Sequence, residues 1–477
     1  MPYSPDQQFA LDILLRTPEH VALFGPAGTG KSTVTRAFRH ELTTEGSRYI
    51  VVAPTGVAAL NVGGETMHKV FGLPIVPGPL LLKRGSRRSR FESARTGQSY
   101  LAELTIIIDE ISMVRADVLD AIDLSLRRED DDRPFGGARI VFSGDPLQLP
   151  PIVRKDDKLL VEHLHREYGG SPWFFSSRVF RELHPVPLLL EVSHRQQDLR
   201  FYDALSRLRY GDTSGLDYLN FAARSVERGA GPRGVMIGTH RKQVQQVNQH
   251  CLEMLPGEPA VISAHIEGEM PETLPVDERI ELKPGAQVLC AANLYESFIF
   301  DNVFGELGCG DGADPDSEPA EWGPSGPPRP GAIVAANGSR GTVVSTSPLR
   351  VQFETGATLP IGRYTWEFFG YDQNEGRIVK KGTFKQVPLL LGWAITAHKS
   401  QGMSLSEIEI DVRKMFDTGQ SYVALSRVFS VSGLTLRHYL MPHHFMVNQQ
   451  ASEFMRSFTN AAYWVRQNRH WNGHPLP

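Results

Sequence analysis

Short β-branched runs alternate with helical stretches over the first part of the chain: VALF at 21–24, YIVVA at 49–53, TIIID at 105–109 and RIVFSGD at 139–145. Apolar runs without polar alternation predict strands buried on both faces, and helices between them predict a parallel, doubly wound sheet. A second alternating region starts near Leu188, includes VMIGT at 235–239 and resumes with EIEIDV at 407–412. The expected fold class is α/β, with two similar parallel-sheet domains.

Two segments break this rhythm. Between Phe71 and Leu104, Lys83, Arg84, Arg87, Arg88, Arg90 and Arg95 stand against Glu92 and Glu103, which predicts a basic insertion on the first domain. From Gly305 to Gly331, 13 of 27 residues are Gly or Pro and six more are acidic, so a surface loop without a core is expected. After it, GTVVST, LRVQFE and the stretch 358–387 alternate with turn signals such as Asn374 to Gly376, the pattern of a small β-barrel set into the second domain. Phe454 and Phe458 lie at helical spacing, which favours a C-terminal helix packed on the core over a base-stacking platform. The expected boundaries are 1–70 and 105–187 for the first α/β domain, 71–104 for its insertion, 188–292 and 391–445 for the second, 293–390 for the β-rich insertion and 446–477 for a helical tail.

Composition narrows the class. A chain of 477 residues has room for several compact units, and 41% hydrophobic with 22% charged residues excludes a disordered or fibrous protein. The net charge of −4 excludes a uniformly basic coat but leaves room for a local basic groove. Cys251, Cys290 and Cys309 are spaced neither as a disulfide framework nor as a zinc site, so they read as thiols in a reducing compartment. No apolar run approaches the roughly 18 residues of a membrane span, and no secretory or mitochondrial targeting segment is evident. The expected location is the cytoplasm or, in a bacterium, the nucleoid.

The chemistry begins at GPAGTGKS, residues 25–32, a full G-x-x-x-x-G-K-[ST] pattern between a predicted strand and an amphipathic helix. Gly25, Gly28 and Gly30 let the backbone of Pro26, Ala27, Thr29 and the following Lys31, Ser32 and Thr33 approach a phosphate closely, and the helix N-terminus adds partial positive charge. Lys31 would contact the β and γ phosphates of ATP, and Ser32 would hold Mg2+. IIIDEIS at 106–112 supplies the carboxylates such a site needs. Asp109 would support the magnesium through water, leaving Glu110 to orient and deprotonate the attacking water. Adjacent acids at a strand end can also be mere caps, but charges ending a buried strand are costly without a cation. In SGDPLQLPPI at 143–152, Gln148 stands where an amide could sense the γ-phosphate.

These motifs, in this order, resemble those of the Pif-one (petite integration frequency) DNA helicases, in the RecD-like branch of superfamily 1, over most of the chain. YSPDQ at 3–7 is similar to the family's adenine-reading motif, with Gln7 at the glutamine. APTGVAA at 53–59 and GGETMH at 63–68 resemble the segments that line the single-strand track. ISMVRADVLDAID resembles the signature helix of the branch, and EVSHRQ at 191–196, AITAHKSQGMSL at 394–405 and QSYVALSRV at 420–428 resemble the remaining motor motifs.

The resemblance implies two RecA-like P-loop NTPase domains, a small wedge on the first, an SH3-like barrel on the second, and ATP-driven 5′→3′ movement on single-stranded DNA with unwinding of forked or structured DNA. Genome maintenance is the implied role: replication, recombination, repair, telomere maintenance or G-quadruplex processing. Arg195 and Arg427 match the arginine-finger positions, against the plainer reading of domain-interface salt bridges. Gln401 lies in the motif that links nucleotide state to the DNA track, a coupling candidate rather than a direct ligand. Pro54, Thr55, Gly56 and His68 in the first domain, Thr239 and His240 in the second, and His398 and Lys399 resemble DNA contacts, although a lone histidine such as His398 is as readily a packing residue. The acidic Gly/Pro loop departs from the family core and is either a spacer or a binder of a basic partner. The free protein is expected to be a monomer, with no membrane association.

Overall fold

The computed structural model describes residues 3–476 apart from 56–57, 60–61, 63, 75–77, 87–90, 92–100, 128–131, 155, 197, 226–233, 269, 271–273, 293, 296–332, 336–337, 355, 373–376, 402, 404, 413–414 and 416. The expected loop at 305–331 and most of the arginine cluster, Arg87, Arg88, Arg90 and Arg95, lie outside the described residues.

Two compact units divide the chain. The larger comprises residues 1–239, 370–378 and 396–477. Its first sheet contains β1 (Val21–Phe24), β2 (Arg48–Ala53), β3 (Glu65–Thr66), β4 (Leu104–Ile108), β5 (Arg139–Gly144) and β6 (Val186–Leu189), ordered β3-β2-β4-β5-β1-β6. Every pairing is parallel. The apolar runs have a simple cause. Side chains alternate between faces along a strand, so a sheet covered on both sides needs apolar residues at every position.

One face sends Val21, Leu23, Ile107 and Val141 into a core with Ile13 and Leu14 of α1 (Pro5–Arg16) and Val34 and Phe38 of α2 (Lys31–Thr44). The other sends Ala22, Phe24, Ile106, Ile108 and Phe142 against Leu119 and Ile122 of α3 (Ala116–Leu126) and against Phe174. The helix Gln449–Asn468 closes this second core with Met455 and Phe458. Phe458 lies 4.6 Å from Phe24 between ring centroids, and Phe454 stacks on Phe175 at 4.2 Å. Such aromatic contacts add about 0.5–1.5 kcal/mol beyond area burial. Of the basic insertion, Leu80 and Phe91 are buried in the same core, while Arg84 pairs with Asp132 at 2.6 Å.

A second parallel arrangement in this unit runs Val235–Gly238, Ile408–Ile410, Leu434–Leu436 and Arg224–Ser225. The smaller unit, residues 240–369 and 379–395, is built differently. Its main sheet has five strands, Thr358–Pro360, Leu349–Phe353, Arg340–Thr346, Gln287–Cys290 and Leu389–Leu391, all antiparallel to their neighbours. Val288, Val343, Val351, Phe353 and Phe384 form its core. Among the described residues no helix is long and apolar enough to cross a membrane.

The edge where β1 and β5 begin contains a histidine that must stay neutral. His20 Nδ1 accepts from the Ile140 amide at 3.0 Å, and burial, followed by the neighbouring Arg139 guanidinium, pulls its pKa from 6.5 to about 4. The unfolded chain therefore binds a proton that the folded one refuses, so stability present above pH 6.5 is lost as the pH falls towards 4. A pKa unit is worth about 1.4 kcal/mol, and solvent screening of the partly exposed ring reduces the total to an expected ~1–2 kcal/mol. His20→Asn, which retains an acceptor for Ile140, is expected to flatten the fall in melting temperature between pH 7 and 4.5; an unchanged acid slope in thermal scans would contradict this account.

Candidate active site

The carboxyl ends of the central strands converge on one place, where open parallel sheets bind ligands. The phosphate-loop sequence at 25–32 follows β1, Asp109 and Glu110 follow β4, and Asp145 follows β5. Gly28 and Gly30 adopt φ of 84° and 82°, a left-handed backbone that disfavours a Cβ. Lys31 Nζ donates to the Gly25 carbonyl at 2.8 Å and the Pro26 carbonyl at 3.0 Å. Burial lowers its pKa, and Asp145, Glu110 and Asp109 oppose that shift. Ser32 and Thr33 are exposed at the start of α2.

Burial raises the Asp109 pKa and, together with the charge of Asp109, pushes Glu110 up to about 7. Glu110 also has φ 50°, uncommon for a residue with a side chain. Gln401 Nε2 donates to Glu110 Oε2 at 3.0 Å, while its own buried Oε1 finds no hydrogen-bond partner among the described residues. Arg195 Nη1 donates to the Ser426 carbonyl at 3.0 Å, directly before Arg427. The buried Arg427 guanidinium donates to the Val423 carbonyl at 2.7 Å and Ser426 Oγ at 2.8 Å. Burial and then the positive charge of Arg195 lower its pKa to about 9, against the opposing influence of Tyr422, Glu110 and Asp145.

Gln7 and Gln148 occupy the same region with their amides engaged. Gln7 Nε2 donates to the Thr29 carbonyl at 3.0 Å and its Oε1 accepts from the Ser4 amide at 3.1 Å. Gln148 Nε2 donates to Asp145 Oδ2 at 3.1 Å. Sequence reasoning did not single out three residues here. Asp145 is fully buried and paired with Arg209 at 2.5 Å, and Tyr422 accepts the Ala27 amide proton at 3.1 Å. Asp145 ends a buried strand much as Asp109 does, so the cost of burying an unpaired charge could have flagged it. Tyr422 lies inside the quoted QSYVALSRV run, whereas Arg209 lies in Leu199–Arg209, 64 residues from its partner, with no local signal.

The candidate DNA contacts lie elsewhere along the strand ends. Pro54 and Thr55 follow β2, where Thr55 Oγ1 accepts from the Ala58 amide at 3.2 Å. His68 sits on the helix Met67–Phe71, its pKa lowered by burial and then by Arg115. Thr239 is buried after Val235–Gly238, its hydroxyl without a partner among the described residues, and His240 is exposed at the head of Arg241–Glu253. Gly56 lies outside the described residues, as do the side chains of His398 and Lys399.

A parallel sheet, a phosphate loop between strand and helix, and an acidic pair at the end of β4, one strand removed from β1, define a P-loop nucleotide hydrolase. The sequence pattern of the PIF1-like helicase family matches residues 7–168. The chain is 31% identical to the ATP-dependent DNA helicase Pif1 of Psychrobacter sp. (strain PRwf-1), over 90% of this chain and 67% of that protein. It is 29% identical to the ATP-dependent DNA helicase Pif1 of Bdellovibrio bacteriovorus, over 95% of this chain and 92% of that protein. The solved structure of Bacteroides sp Pif1 in complex with ADP-AlF4 superposes with a TM-score of 0.70 at 29% identity, covering 96% and 98% of the two chains. This chain belongs to the Pif1-like helicases, and its two parallel sheets are of the RecA-like P-loop type. It spans about 60% of the length of the human ATP-dependent DNA helicase PIF1, to which it is 30% identical.

Gly419 offers a direct test of how closely the site is packed. Its φ is 75°, and a Cβ there would lie 2.3 Å from the Gln148 carbonyl oxygen. Gly46, with φ 70° and nothing within 4 Å, carries the backbone constraint alone. Gly46→Ala is expected to cost about 1 kcal/mol and Gly419→Ala about 2–4 kcal/mol in denaturant unfolding, with loss of ATP turnover only in the second. Equal destabilisation of the two variants would mean that the turn at Gln148 yields freely.

Proposed function

We propose that this chain hydrolyses ATP to move 5′→3′ along single-stranded DNA, opening duplex or structured DNA ahead of it. The observation that carries the reading is the contact of Gln401 with Glu110 at 3.0 Å, because it joins the residue suited to activate water to the motif expected to report on DNA. The names of the relatives support it: ATP-dependent DNA helicases, Bacteroides Pif1 bound to ssDNA, and two coordinating Pif1 helicases unwinding at forked dsDNA.

In this reading Lys31 and the amides of residues 28–33 hold the β and γ phosphates, and Gln7 borders the adenine. Asp109 and Ser32 suit magnesium: two neighbouring buried carboxyls with raised pKa values are relieved by a divalent cation, and such ions usually keep several waters beside one or two protein ligands. The bound ion would neutralise charge on the phosphates. Glu110 takes the proton of the attacking water. Arg195 and Arg427, two like charges held close in a desolvated place, are positioned to oppose charge developing on the γ-phosphoryl group, an effect worth about 10³–10⁵ in rate. Gln148 senses that group.

Pro54, Thr55, Gly56 and His68 form one grip on the strand, and Thr239, His240, His398 and Lys399 the other. Residues 71–104 serve as the wedge, and 293–390 as the SH3-like insertion. Opening a base-pair step costs about 1.4 kcal/mol, a modest load for ATP hydrolysis. The place of action is the cytoplasm or nucleoid and the process is genome maintenance.

With ATP and magnesium, the purified chain is expected to separate a fork bearing a 5′ single-stranded tail and to leave a 3′-tailed fork intact; the reverse preference would refute the polarity. Lys31→Ala is expected to weaken ATP binding at least about tenfold, whereas Glu110→Gln should bind ATP normally and slow turnover by about 10²–10⁴. Equal loss of nucleotide affinity in both would contradict the separate roles.

A further inference from the structure

Outside the residues that would touch ATP, one buried group stands out. Asp145 is wholly inaccessible and both its oxygens are occupied: Oδ1 by the Leu147 amide at 3.1 Å and Arg209 Nη2 at 2.5 Å, Oδ2 by Gln148 Nε2 at 3.1 Å and Arg209 Nε at 3.3 Å. Arg209 is itself buried and packs its guanidinium 5.3 Å from the Tyr210 ring centroid. Tyr422, also buried, accepts from the amide of Ala27, the third residue of the phosphate loop. The Tyr422 hydroxyl and Arg209 both interact electrostatically with Asp145. Three side chains from well-separated segments thus bear on the sensor glutamine and the loop it reports to.

We propose that Arg209 and Tyr422 are positioning residues for ATP hydrolysis, Arg209 fixing Gln148 through Asp145 and Tyr422 fixing the phosphate loop through the Ala27 amide. The assignment rests on the proposed ATP hydrolysis and adds to it two residues that neither bind the nucleotide nor exchange protons with it.

Arg209 has two effects that can be separated. Its fork fixes the carboxylate plane, so the acceptor for Gln148 stays at one place. Its charge also neutralises an anion that would otherwise stand bare beside incoming phosphates, where low dielectric magnifies repulsion. Removing the arginine alone exposes that anion. Removing both charges does not. Tyr422 acts by geometry only: the hydroxyl ties down one amide, and a phenyl ring in its place preserves the packing.

The test measures DNA-stimulated ATP hydrolysis by the full chain and four variants: Arg209→Met, Asp145→Asn, the double variant, and Tyr422→Phe, each with its melting temperature. Arg209→Met is expected to lower kcat/KM at least tenfold, and the double variant to recover to within about threefold of Asp145→Asn. Tyr422→Phe is expected to lower kcat about fivefold with the melting temperature within about 2 °C of the parent. The proposal is overturned if the double variant shows the full loss of both single changes, or if Tyr422→Phe turns over ATP at the parental rate. Should Arg209→Met fail to fold, Tyr422→Phe and Asp145→Asn still decide: parental kcat in either sinks the proposal. A parent chain that hydrolyses ATP without opening a fork would refute the helicase reading and leave this comparison intact, whereas a parent without ATPase activity would remove its basis.

Discussion

Burying charge is the constraint around which this site is built. Asp109, Glu110 and Asp145 share the carboxyl rim of the first sheet with Lys31, Arg195, Arg209 and Arg427, and most of them are shielded from water. An isolated charge in such a place costs several kcal/mol, so each must find a partner or change its protonation. Asp145 finds Arg209. Burial, and then the like charge of Asp109, push Glu110 up to about 7. Burial, and then the like charge of Arg195, shift Arg427 in the opposite direction. The mutually repelling pairs are the two that the proposed chemistry needs, because a metal ion and a phosphate would relieve them in turn.

The same constraint accounts for the long reach of the polar contacts. Tyr422 meets Ala27 across 395 positions of sequence and Gln401 meets Glu110 across 291. In a dry interior every polar atom needs a specific partner, so such contacts define geometry more sharply than apolar packing does. The phosphate loop and Glu110 are therefore not preset by the first sheet alone. Their geometry depends on segments near the end of the chain, which makes hydrolysis conditional on how those segments lie.

What was legible in the sequence follows from the range of the interactions involved. VALF, TIIID and RIVFSGD announced their strands because burial on both faces leaves an unbroken apolar run, and the observed strands fall within a residue or so of them. The phosphate loop was legible because its glycines meet a local backbone demand. Phe454 and Phe458 showed helical spacing, but nothing local said that Phe24 and Phe175 would receive them. Arg209 was invisible for the same reason: within Leu199–Arg209 it is one of several arginines, and only the folded chain distinguishes it by bringing it to Asp145. Gln7 was legible as a motif residue, yet its contact with the Thr29 carbonyl could not be read from the motif.

That contact has a neighbour which extends the logic to the other end of the nucleotide site. Asp6, beside Gln7, is buried at the start of α1 and accepts from the amides of Glu191 at 2.8 Å and Val192 at 3.1 Å. These amides open the loop that carries Arg195, and His194 of the same loop donates its own amide to the Gly28 carbonyl at 2.8 Å. One carboxylate and one carbonyl thus fasten the arginine-bearing loop to both the N-terminal helix and the phosphate loop. Hydrogen bonds to a charged acceptor are about twice as strong as neutral ones, so the attachment at Asp6 is the firmer of the two. In the proposed reading, a displacement of Gln7 by a base would be transmitted through Asp6 to the backbone before Arg195, and an arginine whose backbone is held there would answer the γ-phosphate by turning its side chain. The N-terminal helix, the phosphate loop and the segment before Arg195 are in this way joined through backbone amides, while Gln401 and Arg427 reach the site by side-chain contacts.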